Sequence, residues 1–407
     1  MNDLRRMLGI IVCLVATAGL SPLHGTDAVP PSANPPAAQP TTPAASGGAT
    51  GNAVKVPENF GARTSDGRAL MVKRHGGSQA TEDAVDAALK WLAHHQEADG
   101  HWDSKKYGAE NKVDTAVTAL AVLAFLGAGS SEKAGQWKDT VKAGVVWLRK
   151  KQQDNGLVYD RTDTQDQIRA IGYPHGIATL ALAEAAGMGN IPETRAAAQK
   201  AIDYATNVHQ QGKGADKLGW RYTAGMAGDI SVSGWYIQAL KSAFLAGVKV
   251  DPNSFNGAIK FLDSVEIKVK DTTASAYCYQ PGKDPNRRRN AIGNLSRQLL
   301  GWMKADLQSS VEAFVKDGGV PEWGANGAKA DFYYWYFGTL CVFNQGGDVW
   351  TAWNEALKKT LTENQSKAGD DAGSWPIVGE FSSDWSRVGQ TALGCLCLEV
   401  YYRYLAR

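Results

Sequence analysis

The stretch AALKWLAHHQEADGHW at residues 87–102 returns, altered but legible, as AGVVWLRKKQQDNGLV at 143–158. Both share a small residue, an aromatic-Leu pair (Trp91-Leu92, Trp147-Leu148), a Gln five positions after the Trp, and then a Gly. Similar starts follow at AIDYATNVHQQ (201–211), AIKFLDSVEIK (258–268) and EAFVKDGGVPEW (312–323). The last begins at ALKKTLTENQ (356–365) and ends in Gly373-Ser374-Trp375. The anchors Trp91, Trp147, Tyr204 and Phe261 lie 56, 57 and 57 residues apart. A fixed period of this length marks a repeat architecture in which each unit is one supersecondary element. Six such units fill residues 81–407.

Each unit then offers a second, more apolar helix: 115–129, 175–189, 231–247, 291–303, 332–343 and 388–405. A helix that is apolar nearly all round is buried, whereas the first helix of each unit keeps a charged face, as in Lys142, Arg149, Lys150 and Lys151. The units therefore read as helical hairpins with one outer and one inner helix. Gly127, Gly187 and Gly247 recur at intervals of 60, where a helix end calls for a left-handed cap. An open solenoid needs polar terminal repeats, yet the last inner helix is as apolar as the middle ones. Closing the row into a ring removes both exposed ends.

The pattern Ala87…Trp91-Leu92…Gln96…Gly100-His101-Trp102 resembles the QW repeat of squalene cyclases and of the prenyltransferase/squalene-oxidase repeat superfamily. The stretch from Trp220-Arg221-Tyr222 to Trp235 and the terminal segment 398–405 are similar to exported bacterial members of that group. The resemblance covers about residues 80–407. It implies an all-α (α/α)6 toroid and says little about activity, because one fold hosts many chemistries.

In such a ring all inner helices run parallel, so the outer-to-inner connections share one face. They are the long ones: 97–113, 153–173, 211–230, 267–289, 318–331 and 366–387. That mouth also collects the positive ends of six inner-helix dipoles. Aligning the repeats brings Asp114, Pro174, Gly234, Arg289, Tyr333 and Arg387 to equivalent positions, followed by Thr115, His175, Trp235, Asn290, Tyr334 and Val388. Asp114, His175 and Tyr334 are the catalytic candidates, and Trp235, Arg289, Tyr333 and Arg387 the binding candidates. Each also has a structural reading. Asp114 can join a capping arrangement with Asn111, and Asp229 and Asp331 are N-cap types. Units one and six are neighbours in a closed ring, so Asp114 and Arg387 can pair across the closure. His175 can simply pack. Arg287-Arg288-Arg289 beside a helix N-terminus is unfavourable without an anionic partner.

The resembled families make definite chemical demands. Cyclases that protonate an alkene use Asp-x-Asp-Asp, which is absent here; Lys112-Val113-Asp114-Thr115-Ala116 offers one carboxylate, and Asp370-Asp371 lacks a third. Protein prenyltransferases hold zinc with a late Asp, Cys and His, but the last His is His209. The thioester motif Cys-Gly-Glu-Gln is also absent. His94, His95 and His101 stand near Asp99 and Asp103, yet adjacent His point apart on a helix. No metal or other cofactor is expected. Thirteen Trp and fourteen Tyr are many for one chain. The run Phe332 to Phe337 covers every side of its helix, so some rings face the centre and others pack outward.

Forty-three Lys+Arg against 41 Asp+Glu leave a net charge of +2, which gives no polycation for nucleic acid or anionic membranes. The N-terminus reads as a cleavable signal over residues 1–18: Arg5-Arg6, an apolar run from Leu8 to Val15, and small Ala16-Thr17-Ala18. Paired Arg5-Arg6 leaves a twin-arginine export route open. Residues 19–78 read as a disordered Pro/Ala/Gly-rich linker, 79–407 as the toroid, and no transmembrane anchor is expected in the mature chain. Cys278, Cys341, Cys395 and Cys397 read as buried small hydrophobes, with a Cys341–Cys395 bridge as the alternative.

Two functional expectations follow: an exported binding or scaffold module using the mouth, or an enzyme there, either a cyclase-like isomerase on a terpenoid or a lyase or hydrolase on a glycan. Partners would be a hydrophobic or glycan ligand, or an envelope protein. A sealed apolar pit around Asp114 would favour the terpenoid. His175, Tyr334 and arginines exposed together would favour an acidic glycan. A shallow mouth with Asp114 paired to Arg387 would favour the scaffold.

Overall fold

The computed structural model describes residues 58–164, 171–380 and 382–403, all within the unit Val56–Arg407. The expected signal segment and most of the linker lie outside them. A short helix α1 (Ser65–His75) precedes six hairpins. Their outer helices are α2 (Gln79–His94), α4 (Lys138–Lys150), α6 (Pro192–Tyr204), α8 (Pro252–Val265), α10 (Lys304–Gly318) and α12 (Gly347–Asn364). The inner helices are α3 (Asp114–Gly127), α5 (Gly172–Gly189), α7 (Ile230–Leu245), α9 (Arg287–Leu299), α11 (Phe332–Gln345) and α13 (Ser382–Leu398), and α14 (Val400–Arg403) is the last described helix. A two-stranded antiparallel hairpin, β1 (Glu266–Lys268) and β2 (Ser275–Tyr277), decorates the fourth unit.

Each inner helix packs on the next, and α13 returns to α3, so the ring is closed: an (α/α)6 toroid. Its inner wall is what the composition dictates. All fourteen residues of α3 are buried, and α5 is buried except at Tyr173. Every fully buried Leu or Ile there contributes about 1.5–3 kcal/mol.

The repeat motif turns out to be a joint between hairpins. Gln96 Nε2 donates to Gly100 O (2.9 Å) and to Thr140 O on the next outer helix (3.0 Å). Gln152 does the same to Gly156 and Ala197, and Gln365 to Gly373 and Ala84, which joins unit six to unit one. Gln210 reaches Leu218 and Ser254. The glycines are obligatory for two reasons. Gly100, Gly156 and Gly373 have φ of 102°, 97° and 95°, and a Cβ on them would lie 2.1–2.4 Å from carbonyl oxygens of Ala143, Lys200 and Ala87. The Trp indoles complete the joint: Trp102, Trp220 and Trp375 are wholly buried and donate Nε1–H to Leu92, Ala205 and Leu361 carbonyls.

Two expectations need correction, the domain boundary and the glycine caps, while the cysteines are buried as read. Residues 58–78, expected as linker, are structured, with helix at Glu58–Arg63 and Ser65–His75 ahead of the expected boundary at 79. Phe60 is 1% exposed and Arg63 2%, because both pack where the inner helices finish, Arg63 on Leu126 O, Glu184 and Met188 and Phe60 against Gly187. Of the three glycines expected as left-handed caps, only Gly247 has positive φ (72°). Gly127 and Gly187 stay helical and are small for contact reasons, against the Glu399 carboxylate and the Phe60 ring. The four described cysteines are buried and free, without a bridge. No helix among the described residues is long and apolar enough to cross a membrane.

Candidate functional site

The inner-helix N-termini meet at the long-loop face, and their caps come from the loops as short polar side chains. Asp229 Oδ1 accepts Val232 N–H at the start of α7, Asn286 accepts Arg289 N–H at α9, and Asp331 accepts Tyr334 N–H at α11. The cap of α3 arrives from the neighbouring hairpin: Asp163 accepts the N–H groups of Asp114 (3.0 Å) and Thr115 (3.1 Å). Burial lifts the Asp163 carboxyl to about 7 against the hydrogen bonds from Thr115, and the Asp114 charge adds to the rise.

The sequence candidates do not assemble into one pit. Asp114 is wholly buried, but its Oδ1 takes the N–H and hydroxyl of Ser104 (2.8 and 2.7 Å). Its Oδ2 faces Lys112 Nζ at 3.3 Å and His101 Nε2 at 3.6 Å. The ring-closing pair with Arg387 is not formed. Arg387 binds Asp371 (3.1 Å) and Ser374 Oγ (3.0 Å) within its own loop. Nor does Asp114 cap α3 with Asn111; Asp163 holds that position.

His175 is consumed by the repeat itself. Its Nδ1 accepts Val158 N–H (3.1 Å), doing for unit two what Thr118, Ser233 and Thr391 hydroxyls do when they accept the N–H of Trp102, Trp220 and Trp375. With that lone pair used and burial depressing the ring's basicity well below the ordinary histidine range, it has no base to offer. Tyr334 points outward: its hydroxyl donates to Gly319 O (2.8 Å), its ring packs on Trp353, and Arg287 lies over it. His95 stacks on Trp91. Among the described residues no group of three His, Cys, Asp or Glu is disposed for a metal.

What the mouth does hold is aromatic. Tyr333 and Trp385 lie nearly parallel (17°, centroids 6.1 Å apart), and Tyr173 stands perpendicular to Trp385 (89°, 6.1 Å). Tyr222 adjoins Tyr173 at 6.3 Å, and its hydroxyl meets that of Tyr279 at 2.5 Å. All five side chains are partly exposed. Trp235, fully buried, underlies Tyr333 and stacks on Tyr336. Units two to six thus each supply a ring or phenol. Burial raises the phenols of Tyr173, Tyr279 and Tyr333, so they remain donors throughout the neutral range.

Beneath this floor sits Asp229, wholly buried, with Arg221 Nε 3.9 Å from its second oxygen. Burial pushes its carboxyl up to about 6; the Val232 N–H, Arg221 and the Tyr279 phenol hold it from rising further. The rim charges are matched: Arg287 and Arg288 with Asp331 (2.9 and 2.8 Å), and Arg288 with Glu380 (2.9 Å). The partner that Arg287-Arg288 called for is therefore Asp331 rather than a bound anion. Arg289 lies over the Tyr279 ring.

Trp385 owes its place to local strain. Ser386 has φ 62° and ψ 174°, a region costing about 1–3 kcal/mol for a residue with a side chain. It breaks α13 and turns Trp385 over the mouth. Gly389 permits this, since a Cβ there would come 2.8 Å from Trp385 Cβ. The sequence reading missed Tyr173, Tyr222, Tyr279 and Trp385. Its alignment sat one residue past Tyr173 and two past Trp385, inside the helices rather than on their lips.

Solved structures resemble this ring. Cellobiose 2-epimerase from Bacillus thermoamylovorans aligns with a TM-score of 0.58 at 12% identity, over 82% of this chain and 99% of that one. A family 76 glycoside hydrolase (mannosidase) from Bacteroides thetaiotaomicron gives 0.53 at 13%, over 80% and 98%. A type II terpene cyclase from Scytonema, in complex with geranylgeranyl dihydroxybenzoate, gives 0.50 at 12%, over 79% and 97%. At such identities the likeness is one of fold. No family model and no curated protein matches the sequence. The chain is an (α/α)6 toroid, of the architecture that glycan-acting and terpene-cyclising enzymes share.

Proposed function

We propose that this chain is an exported member of the QW-repeat toroids that works as a binding module, holding its ligand on the aromatic mouth without the superfamily's usual chemistries. One observation carries the reading. Five hairpins converge partly exposed aromatic side chains on one face, while Asp114, His175 and Tyr334, which the sequence offers for catalysis, are each engaged in hydrogen bonds that hold the ring together. Export rests on the N-terminal pattern of residues 1–18. Native mass spectrometry of protein purified from its own cell envelope tests the proposal. A retained small molecule is expected on the wild type and not on a Tyr333→Ala/Trp385→Ala variant of equal melting temperature. Equal retention by both would remove the mouth from consideration.

An enzymatic reading has one observation in its favour, the Asp229 carboxyl near 6, a value suited to a general acid or base. Under it, Asp229→Asn would abolish turnover of whatever co-purifies while leaving its binding intact. Turnover that survives the substitution would discard Asp229 as the acid.

A further inference from the structure

We infer that the ligand class of this mouth is a neutral, polyhydroxylated ring, that is, an uncharged sugar unit of a glycan. The inference rests on the binding-module reading and narrows it.

The charges argue first. Arg287 and Arg288 are matched by Asp331 and Glu380, Arg387 by Asp371, Arg221 faces Asp229, and Arg289 donates to Asp284 O and lies over the Tyr279 ring. A uronate or sulfated sugar would find its anion-binding groups already occupied and would approach the Asp229 carboxylate. A quaternary ammonium needs open ring faces beside a free negative charge. Here a guanidinium already lies over two of the rings, with Arg221 5.2 Å from the Tyr222 centroid and 5.7 Å from that of Tyr279. A purely apolar chain would have to strip water from the Tyr222 and Tyr279 hydroxyls and from the Arg288–Glu380 pair, at a cost that hydrogen-bonding ligands do not incur.

The geometry argues second. Trp385 and Tyr333 present nearly parallel rings, and Tyr173 rises at 89° to Trp385, which makes a right-angled corner of two aromatic faces. A pyranose is amphipathic in the same sense. Its axial C–H face stacks on a ring, and its equatorial hydroxyls radiate toward the edges, where the phenols of Tyr222 and Tyr279 stand. The corner is held in shape by the strained turn at Ser386 and by the absence of a side chain at Gly389.

The test is a binding panel on the full mature chain, read by tryptophan fluorescence and isothermal titration calorimetry. The probes are cellotriose, maltotriose and α-1,6-mannotriose as neutral sugars, trigalacturonate as an acidic one, and farnesol in detergent as an apolar chain. Saturable binding of at least one neutral trisaccharide is expected, weakened at least tenfold by Trp385→Ala and largely restored by Trp385→Phe. Gly389→Ala, which displaces Trp385 without removing it, should weaken the same ligand several-fold, with circular dichroism confirming that each variant folds. Binding of trigalacturonate or farnesol alone would overturn the neutral-sugar assignment and leave the mouth reading standing. Neutral-sugar binding indifferent to both residue 385 variants would overturn the site as well. No binding by any probe would reject the assignment, with the envelope-purified protein still deciding the mouth reading independently.

Discussion

The two ends of the ring solve opposite problems with the same hairpins. Where the inner helices finish, the chain's own N- and C-terminal segments pack against their ends. Arg63 pairs with Glu184 at 2.8 Å, Glu184 also pairs with Arg403 at 3.2 Å, and Arg63 Nε donates to Arg403 O, all within 2% of complete burial. Arg403 reaches Tyr336, whose hydroxyl donates to Gln238. Close by, burial lifts the Glu399 carboxyl to about 8. At the mouth the side chains are aromatic and partly exposed, the charges sit on the rim in matched pairs, and one backbone residue is held in strain. The closed end is built for integrity. The open end keeps aromatic surface partly exposed, and the proposed binding role rests on that contrast.

The difference can be broken most sharply at the base. Glu184→Ala leaves the Arg63 and Arg403 guanidinium groups buried without their shared carboxylate, and should lower stability by about 3–5 kcal/mol in urea denaturation. A loss below about 1 kcal/mol would show that the plug is ornamental. Next in size is the joint between units six and one. Gly373→Ala places a side chain at φ 95° against Ala87 O, and a loss of about 2 kcal/mol or more is expected. Gly61→Ala, with nothing within 4 Å of its Cβ position, is the matched control.

Asp229 gives the mouth a pH signature that ends at lower pH than that of Glu399 at the base. Its folded carboxyl, raised to about 6, binds its proton more tightly than the unfolded chain does at the ordinary aspartate value of 3.8. Stability from this group therefore falls as pH rises from about 4 to 6 and stays lower above that. Asp229→Asn retains a good capping residue and removes the penalty. It should stabilise the protein at pH 7 by about 1–3 kcal/mol and make the profile shallower over that window, with the remaining slope due to Asp163 and Glu399. A variant destabilised equally at pH 4 and pH 7 would contradict the assignment. Smallest of all, Trp385→Ala should change stability by only about 1 kcal/mol, since its ring is partly exposed and its removal relaxes the turn at Ser386. Its effect belongs to binding.

The ring was readable because a period near 57 residues fixes the hairpins and the apolar second helices fix which of each pair is inner. The roles of Gln96, Gln152 and Gln365 as joints, and of Gly100 and Gly373 beside them, follow from the same spacing. Two things were not readable. The arm at 58–75 is too weakly patterned to announce itself, and its burial depends on a few side chains, Phe60 and Arg63, meeting partners 63 to 340 residues away in the case of Arg63. The mouth fails for a different reason: its residues lie on the lips of the helices, where the repeats lose their common register. His175 shows the same limit in reverse. An imidazole in a first helical turn looked chemical, yet it stands in for the hydroxyl that the other repeats use.

The most direct test places the photo-crosslinking residue benzoylphenylalanine at Tyr333 in the mouth or at Leu70, exposed on α1, and irradiates the protein in the cells that produce it. The account predicts a discrete mass adduct from Tyr333 and none from Leu70. An adduct confined to Leu70, or an unlabelled Tyr333 site, would contradict the claim that the aromatic mouth is the working end of this ring.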